Sequence, residues 1–213
     1  MKLTLAALLA LIPALAVAAP SAESAAASSL TSFETTTSPR PTANAAAIAR
    51  RPAVSTMQGG IAGFPVDLTL DRRAWTITGA INGFAADIQI DQAGQKITGA
   101  LNGAPVDLTF VWTPDNVSYK GTANQSPVEY TVDWKAGTVD GTANGAKLHL
   151  AFDLAKGTVD PDKSYANGSP VGLALDAESG LLSGAMNRAD VKITIVNGDL
   201  SEFLDYFFVF LKQ

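Results

Sequence analysis

The chain has 213 residues, 47% of them hydrophobic, with 20 acidic residues against 15 basic ones and no cysteine. Because its net charge is −5, it lacks the basic balance that nucleic-acid binding requires, and we expect no nucleic-acid partner. A chain without cysteine and with His149 as its single histidine has no disulfide, no thiol chemistry and few ways to ligate zinc.

Residues 1–18 have the pattern of a secretory signal peptide. Lys2 precedes an apolar run from Leu5 to Val17, and the run ends in the small residues Ala16-Val17-Ala18. The run is too short to span a bilayer comfortably, so we interpret it as a cleaved signal and not as a membrane anchor. The pattern predicts a secreted or periplasmic protein.

Residues 19–55 are rich in Ala, Ser, Thr and Pro, a composition typical of an extended, low-complexity linker. Arg50 and Arg51 lie near its end. Two interpretations of this pair remain open: a dibasic processing site, or two neighbouring arginines with no such role. The linker leads into a repeat domain, which we predict over residues 56–198.

A unit of about 20 residues recurs through residues 56–198. Each copy holds two runs with the apolar–polar alternation of a strand, separated by Asn-Gly or a close variant, which is a strong hairpin signal. The predicted turn centres are Ala62-Gly63, Asn82-Gly83, Asn102-Gly103, Asn124-Gln125, Asn144-Gly145, Asn167-Gly168 and Asn187-Arg188. A glycine recurs in the first strand as Gly59, Gly79, Gly99, Gly121, Gly141 and Gly184, with Ser164 in an altered copy.

One register explains both faces of the predicted hairpins. With the turn residues at the centre, Ile77 pairs with Ile88 on the apolar face. The same rule pairs Asp140 with His149 on the polar face, where opposite charges are favourable neighbours. The seven hairpins therefore predict about fourteen strands in an up-and-down antiparallel array.

The outer connections between hairpins also repeat. Asp133 and Gly137 have an Asp-x-x-x-Gly spacing that fits a type I turn with a bulge. In the connection from Asp91 to Gly94 the spacing is one residue shorter.

The fold class we predict is all-β: about seven antiparallel hairpin repeats of about 20 residues, forming a strongly curled up-and-down sheet or barrel. The apolar face is turned inward, and the repeated glycines on that face permit sharp bending. The sequence does not decide whether the array closes. An unclosed array would leave an edge strand at Met57 that could pair with another chain.

Residues 199–213 are predicted to form a helix packed inside the repeat domain. Asp199 and Glu202 have the spacing of a capping box. The apolar residues that follow helical spacing are Leu200, Phe203, Leu204 and Phe207, and these four side chains are our candidate lining for a ligand cavity. A final strand is the alternative, because Tyr206 to Leu211 is rich in strand formers.

An insertion interrupts the repeat near residue 160 and supplies the candidate metal site. Asp160, Asp162, Ser164 and Asn167 are oxygen donors at loop-like calcium spacing, although the glycine and terminal glutamate of an EF-hand are missing. We prefer a wide turn or bulge as the interpretation. His149 has no serine or cysteine placed beside it by a motif, so we predict no catalytic residue and no cofactor.

These patterns predict a secreted or periplasmic, non-enzymatic β-repeat protein with a structural or binding role. Its expected partner is a protein, a surface or an apolar small molecule. One alternative is a carrier of an apolar ligand or lipid in the sheet interior. A second is an outer-membrane β-barrel, which the predicted strands of about seven residues disfavour because spanning strands need about 9–11. An enzyme would require a cluster assembled from loops.

Overall fold

The computed structural model describes residues 51–143 and 145–210. The predicted signal peptide (1–18) and nearly all of the predicted linker (19–55) lie outside the described residues, as do Asn144 and residues 211–213. The described chain is almost entirely antiparallel β-structure, followed by one short α-helix. The predicted all-β class is confirmed.

The described residues form fifteen strands. They are β1 (Val54–Ile61), β2 (Phe64–Asp71), β3 (Thr76–Ile81), β4 (Phe84–Asp91), β5 (Lys96–Leu101), β6 (Ala104–Trp112), β7 (Asn116–Ala123), β8 (Ser126–Asp133), β9 (Thr138–Ala143), β10 (Ala146–Asp153), β11 (Thr158–Val159), β12 (Tyr165–Ala166), β13 (Ser169–Leu175), β14 (Leu181–Met186) and β15 (Ala189–Val196).

The sheet closes into a barrel. β1 pairs with both β2 and β15, so Met57 lies opposite Leu68 on one side and Ile195 on the other. β11 and β12 share one place in the ring, because both lie between β10 and β13. Because β11 and β12 together occupy one position, the fifteen strands fill fourteen positions around the barrel. Closure pairs the strand that would otherwise be an edge at Met57.

The hairpin turns have the backbone geometry that the repeat predicts. Asn82 and Gly83 have φ of 55° and 78°, the two positive values that a tight hairpin turn requires. Ile77 lies opposite Ile88, which confirms the predicted register. The described asparagine turns fall at the same end of the barrel because the strands run up and down. We call this the asparagine end.

The opposite end is built mainly from turns that begin with aspartate, with Thr113 in this role between β6 and β7, and we call it the aspartate end. The Asp133 carboxylate accepts backbone N–H bonds within its turn, and Gly137 has a φ of 70°. The turn after Asp91 has the same number of residues between its strands as the turn after Asp133, although its glycine lies one residue earlier. Gln95 takes the left-handed position with a φ of 54°, while Gly94 donates its N–H to the Asp91 carboxylate.

The repeated glycines let neighbouring strands approach closely. Gly99 has a φ of 138°, and a Cβ there would lie 2.0 Å from the carbonyl oxygen of Asp87 on the adjacent strand. Gly99 lies opposite Ile88 on one neighbouring strand and Val106 on the other, both of them buried, so the register places it on the apolar face as predicted. The backbone conformation turns the missing side chain toward the neighbouring strand and away from the core. The same close approach occurs at Gly59, Gly79, Gly121, Gly141 and Gly184.

Replacing Gly99 with alanine should lower the free energy of unfolding by about 2 kcal/mol or more, because such a φ costs about 1–3 kcal/mol for a residue with a side chain. The collision with the Asp87 carbonyl adds to that cost. Urea denaturation measures the change. The matched control is Thr98→Ala at the exposed neighbouring position, which should cost less than about 1 kcal/mol. Equal losses in the two variants would contradict the role assigned to Gly99.

The interior of the barrel is filled by residues 199–210, which we call the plug. Its first part is α1 (Leu200–Asp205), and a 3₁₀ turn follows at Phe207–Val209. Every residue from Leu200 to Phe210 is at most 5% exposed. The helix inside the barrel is therefore confirmed, but it is shorter than the predicted range 199–213. The aromatic and β-branched residues after Asp205 lose side-chain freedom in an α-helix, which favours the tighter turn.

Aromatic side chains connect the barrel wall to the plug. The ring centroids of Phe110 and Tyr119 lie 6.4 Å apart, and those of Tyr119 and Tyr130 lie 5.1 Å apart. Tyr119 also contacts Phe208 of the plug, with a centroid distance of 6.2 Å. Such tilted ring pairs stabilise the fold beyond the burial of their surface. The three wall rings therefore hold one side of the plug against β6, β7 and β8.

Candidate functional site

A pocket of about 390 Å³ opens at the asparagine end of the barrel, and we call it the mouth pocket. Val209 and Phe210 of the plug lie at its inner side. Apolar side chains next to the hairpin turns line its wall, among them Ile61, Phe64, Val66, Ile81, Phe84 and Met186. The up-and-down topology brings these residues together, because each lies within three residues of a turn at the asparagine end.

The polar groups of the mouth pocket come from turn asparagines. Asn82, Asn102, Asn124 and Asn187 are among its lining residues, and none of the described lining residues is charged. The side-chain oxygens of Asn102 and Asn187 are buried and accept no hydrogen bond from the described residues. An unsatisfied buried acceptor costs about 1–3 kcal/mol, and these two oxygens have almost no surface that a molecule in the pocket could contact.

At the aspartate end, a buried ion pair attaches the plug to the barrel wall. The Glu202 side chain is fully buried and accepts hydrogen bonds from Arg72 Nε at 3.0 Å and from Arg72 Nη2 at 2.9 Å. Ser55 Oγ donates a third bond to the same carboxylate at 2.7 Å. We call Ser55, Arg72 and Glu202 the plug anchor.

Asp199 caps α1 beside the plug anchor. Its carboxylate accepts the N–H of Glu202 and forms an ion pair with Arg51. Burial raises the pKa of Asp199, but hydrogen bonds from Ser201 and Arg51 outweigh this effect, so the pKa lies below its ordinary value. The side chain is therefore ionised at neutral pH, as a helix N-cap favours.

Inside the barrel, polar groups of the plug lie near two wall tyrosines. Tyr130 Oη accepts the backbone N–H of Phe208 at 3.3 Å. Burial raises the pKa of Tyr119 and of Tyr130, and the negative charge of nearby Asp205 adds to both shifts. Both tyrosines are therefore neutral at physiological pH. The Tyr130 hydroxyl positions the plug through Phe208, and both tyrosines are at most 2% exposed.

The insertion forms a turn that covers the outside of β13. Asp160 accepts the N–H of Asp162 at 3.0 Å and pairs with Lys163 at 3.0 Å, and the Lys163 hydrogen bond lowers the pKa of Asp160. Ser164 is buried, and its hydroxyl accepts the N–H of Ala151 on β10. Asn167 lies separately, in the next hairpin turn with a φ of 52°. The calcium site at these four residues stays a prediction.

Beside the insertion, a groove of about 1010 Å³ runs along the outer face of the barrel. Small residues line much of it, including Ala151, Gly172 and Ala174. Pro161 packs so closely on Gly172 that a Cβ there would lie 2.7 Å from the proline ring. This contact explains why Gly172 stands at the position that Asp67, Asp87, Asp107 and Glu129 occupy in earlier hairpins. The charged lining residues of the groove form two ion pairs, Asp153 with Lys156 and Asp160 with Lys163.

His149 lies on the outer face, where Asp140 is its cross-strand neighbour and hydrogen-bond partner. Its ring also contacts Tyr165, with centroids 5.6 Å apart. This geometry confirms the predicted pairing of His149 with Asp140. Among the described residues, no group of three or more His, Asp or Glu side chains is arranged to hold a metal ion.

The four predicted cavity residues lie in the core of the barrel. Leu200, Phe203, Leu204 and Phe207 are each at most 2% exposed, and none of them is a described lining residue of the mouth pocket. A void of about 10 Å³ beside Val209 and Phe210 is too small for a ligand. Val209 and Phe210, which do line the mouth pocket, were not among the predicted cavity residues. The signal that points to them is the placement of all asparagine turns at one end.

Comparison with known protein families, curated proteins and solved structures finds no match for this chain. No helix among the described residues is long and apolar enough to cross a membrane. Function must therefore be argued from the barrel, the plug and the pocket themselves.

Proposed function

We propose that this protein is a secreted or periplasmic, non-enzymatic β-barrel module with a structural or binding role exercised through its outer surface. The observation that carries the proposal is the occupation of the barrel interior by its own plug, in which every residue from Leu200 to Phe210 is at most 5% exposed. A barrel filled in this way has no lumen that could hold a substrate or form a channel. A partner would therefore bind to its outer surface or to its ends.

The outer surface has the polarity expected of a binding module in water. Acidic side chains recur along it and find cross-strand partners, such as Lys120 and Glu129 at 3.0 Å. Asp67 likewise accepts a hydrogen bond from Gln58 at 3.1 Å. An outer-membrane barrel needs an apolar outer band, so these outward charges favour the module over that alternative.

The alternative of a lipid carried in the sheet interior has less support than the filled barrel. Phe203 lies 4.5 Å from Phe210 and 5.8 Å from Phe207, measured between ring centroids, so the plug packs on itself as well as on the wall. Interiors packed in this way leave no room for an acyl chain unless the plug moves out.

Native mass spectrometry of the full chain, exported by a bacterial host and purified without detergent, tests the proposal. We expect a chain that begins at Ala19 or Pro20 and has the mass of the polypeptide alone or of its oligomer. Bound mass in the lipid range would support the interior carrier instead. A protein that stays in solution only with detergent would support the membrane barrel.

A further inference from the structure

We propose that this barrel opens along the pairing between β1 and β15, and that contacts between the residues flanking these two strands hold it closed. We call this pairing the seam. Opening the seam would free the plug, because the plug follows β15 directly in the chain. This conformational device goes beyond the proposed function, which concerns the outer surface of the closed barrel.

The seam has the same backbone geometry as the strand pairs that are joined by turns at the aspartate end. Gly59 lies opposite Ile193 across the seam, just as the repeated glycine Gly79 lies opposite Leu68 between β3 and β2. A Cβ on either glycine would collide with a backbone carbonyl of the opposite strand. The pairing itself therefore makes the seam neither weaker nor stronger than its neighbours.

The seam differs from the other strand pairs in its connection. β1 and β15 are the first and last strands of the described barrel, whereas its other neighbouring strands are joined by a turn or by the insertion. A turn keeps two strands close after their hydrogen bonds break, so little conformational entropy is gained. Strands without a turn can move apart freely and gain more. Sub-global opening, which folded proteins undergo in such units, therefore costs least free energy at the seam.

Contacts between the flanking residues take the place of the missing turn. Arg51, just before β1, forms an ion pair with Asp199, just after β15. The Arg72 side chain donates to the carbonyl oxygens of Pro52 and Asn197, which flank β1 and β15 respectively. We call these contacts of Arg51 and Arg72 the latch. The latch lies at the aspartate end, where turns join the equivalent strand pairs.

The plug is attached to both sides of the seam. Ser55 of β1 donates to Glu202 of the plug at 2.7 Å, while the plug is covalently continuous with β15. When β1 separates from β15, the bonds of Ser55 and Arg51 to the plug must break as well. Opening of the seam and release of the plug are therefore one event, in which the plug stays attached to β15.

Hydrogen exchange of the mature full chain, followed residue by residue by NMR, tests the seam. The Ala62 amide donates across the seam to the carbonyl oxygen of Asp190 at 2.8 Å. Asn82 is its counterpart in a turn-joined pair, where its amide donates to Pro65 at 2.7 Å. Both amides lie at equivalent hairpin turns, so fraying affects them alike. We expect Ala62 to exchange at least about tenfold faster than Asn82, relative to intrinsic rates, and with a weaker dependence on urea. Equal protection would overturn the proposal.

An engineered disulfide isolates the motion, because the chain has no cysteine of its own. Gln58 and Thr194 lie directly opposite each other across the seam, and such pairs have Cα atoms about 4.5–5.5 Å apart, a distance that a disulfide spans. In the double variant Gln58→Cys with Thr194→Cys, oxidation should remove the difference between the two amides and reduction should restore it. The matched control, Thr69→Cys with Thr78→Cys, bridges the equivalent pair between β2 and β3 and should leave the difference in place. A seam disulfide without effect would contradict opening at this line.

Arg51→Met tests the latch. It should speed the exchange of Ala62 by about two- to fivefold, the effect of losing a partly exposed ion pair, and leave Asn82 unchanged. Because Ala62 lies at the opposite end of the barrel, a change there reports opening of the whole seam and not fraying beside Arg51. The matched control is Arg73→Met, which removes the same charge from an exposed side chain. Equal effects of the two variants on Ala62, or no effect of Arg51→Met, would overturn the latch.

Discussion

Replacing Arg72 with methionine should lower the free energy of unfolding by about 3–5 kcal/mol, the usual cost of removing one partner of a buried ion pair. The Glu202 carboxylate is fully buried, and the side chain of Arg72 is only 12% exposed. Arg72 also donates to the carbonyl oxygen of Asn197 at 2.7 Å, so the variant loses the link between the wall and the start of the plug as well. Urea denaturation at neutral pH measures the loss.

The adjacent arginine provides a matched control. Arg73 is exposed, and Arg73→Met should change the free energy of unfolding by less than about 0.5 kcal/mol. The double variant with Arg72→Met and Glu202→Met should recover most of the loss, because apolar side chains of similar volume often replace a buried ion pair at little cost. If Arg72→Met matched the wild type in stability, the plug anchor would have no role in holding the plug.

Replacing Phe203 with alanine should lower the free energy of unfolding by about 3–5 kcal/mol, since it removes a buried aromatic ring and leaves a cavity. Phe203 is 0% exposed and lies between Phe207 and Phe210 at the centre of the plug. The closed barrel wall cannot collapse easily into the space, so relaxation should recover little of the loss. Thermal and urea unfolding both report the change.

Phe84→Ala makes the same chemical change where the ring is 53% exposed, and it should cost less than about 1 kcal/mol. A plug that contributed little to the barrel would give similar values for Phe203→Ala and Phe84→Ala. That outcome would mean that the fourteen-strand ring is stable with a loosely filled interior, and it would favour the lipid carrier over the filled module.

The hairpins were predictable because their chemistry is local. Asn82 and Gly83 specify a turn in which both residues have positive φ, and alternation then places Ile77 and Ile88 on the same face. The plug was also predictable in kind, since the apolar residues after Asp199 need burial on all sides. Its helix is shorter than the pattern suggests, because the aromatic and β-branched residues after Asp205 lose side-chain freedom in an α-helix.

The candidate site was less predictable than the fold. Leu200, Phe203, Leu204 and Phe207 form core, while the mouth pocket is lined by Val209 and Phe210 together with turn residues from several hairpins. Nothing local to those turns indicates a pocket. They become neighbours only when the array closes and the end of the plug stops beneath them.

From its amino-acid sequence alone, this chain specifies the hairpins, their register, the polar and apolar faces and an apolar C-terminal segment. Each of these depends on residues within one 20-residue unit or one short helix. Closure at fourteen strand positions, the plug anchor and the mouth pocket depend on the folded whole. Arg72 and Glu202 are 130 residues apart in the chain, and the accumulated twist and bending of the barrel wall bring such distant residues into contact.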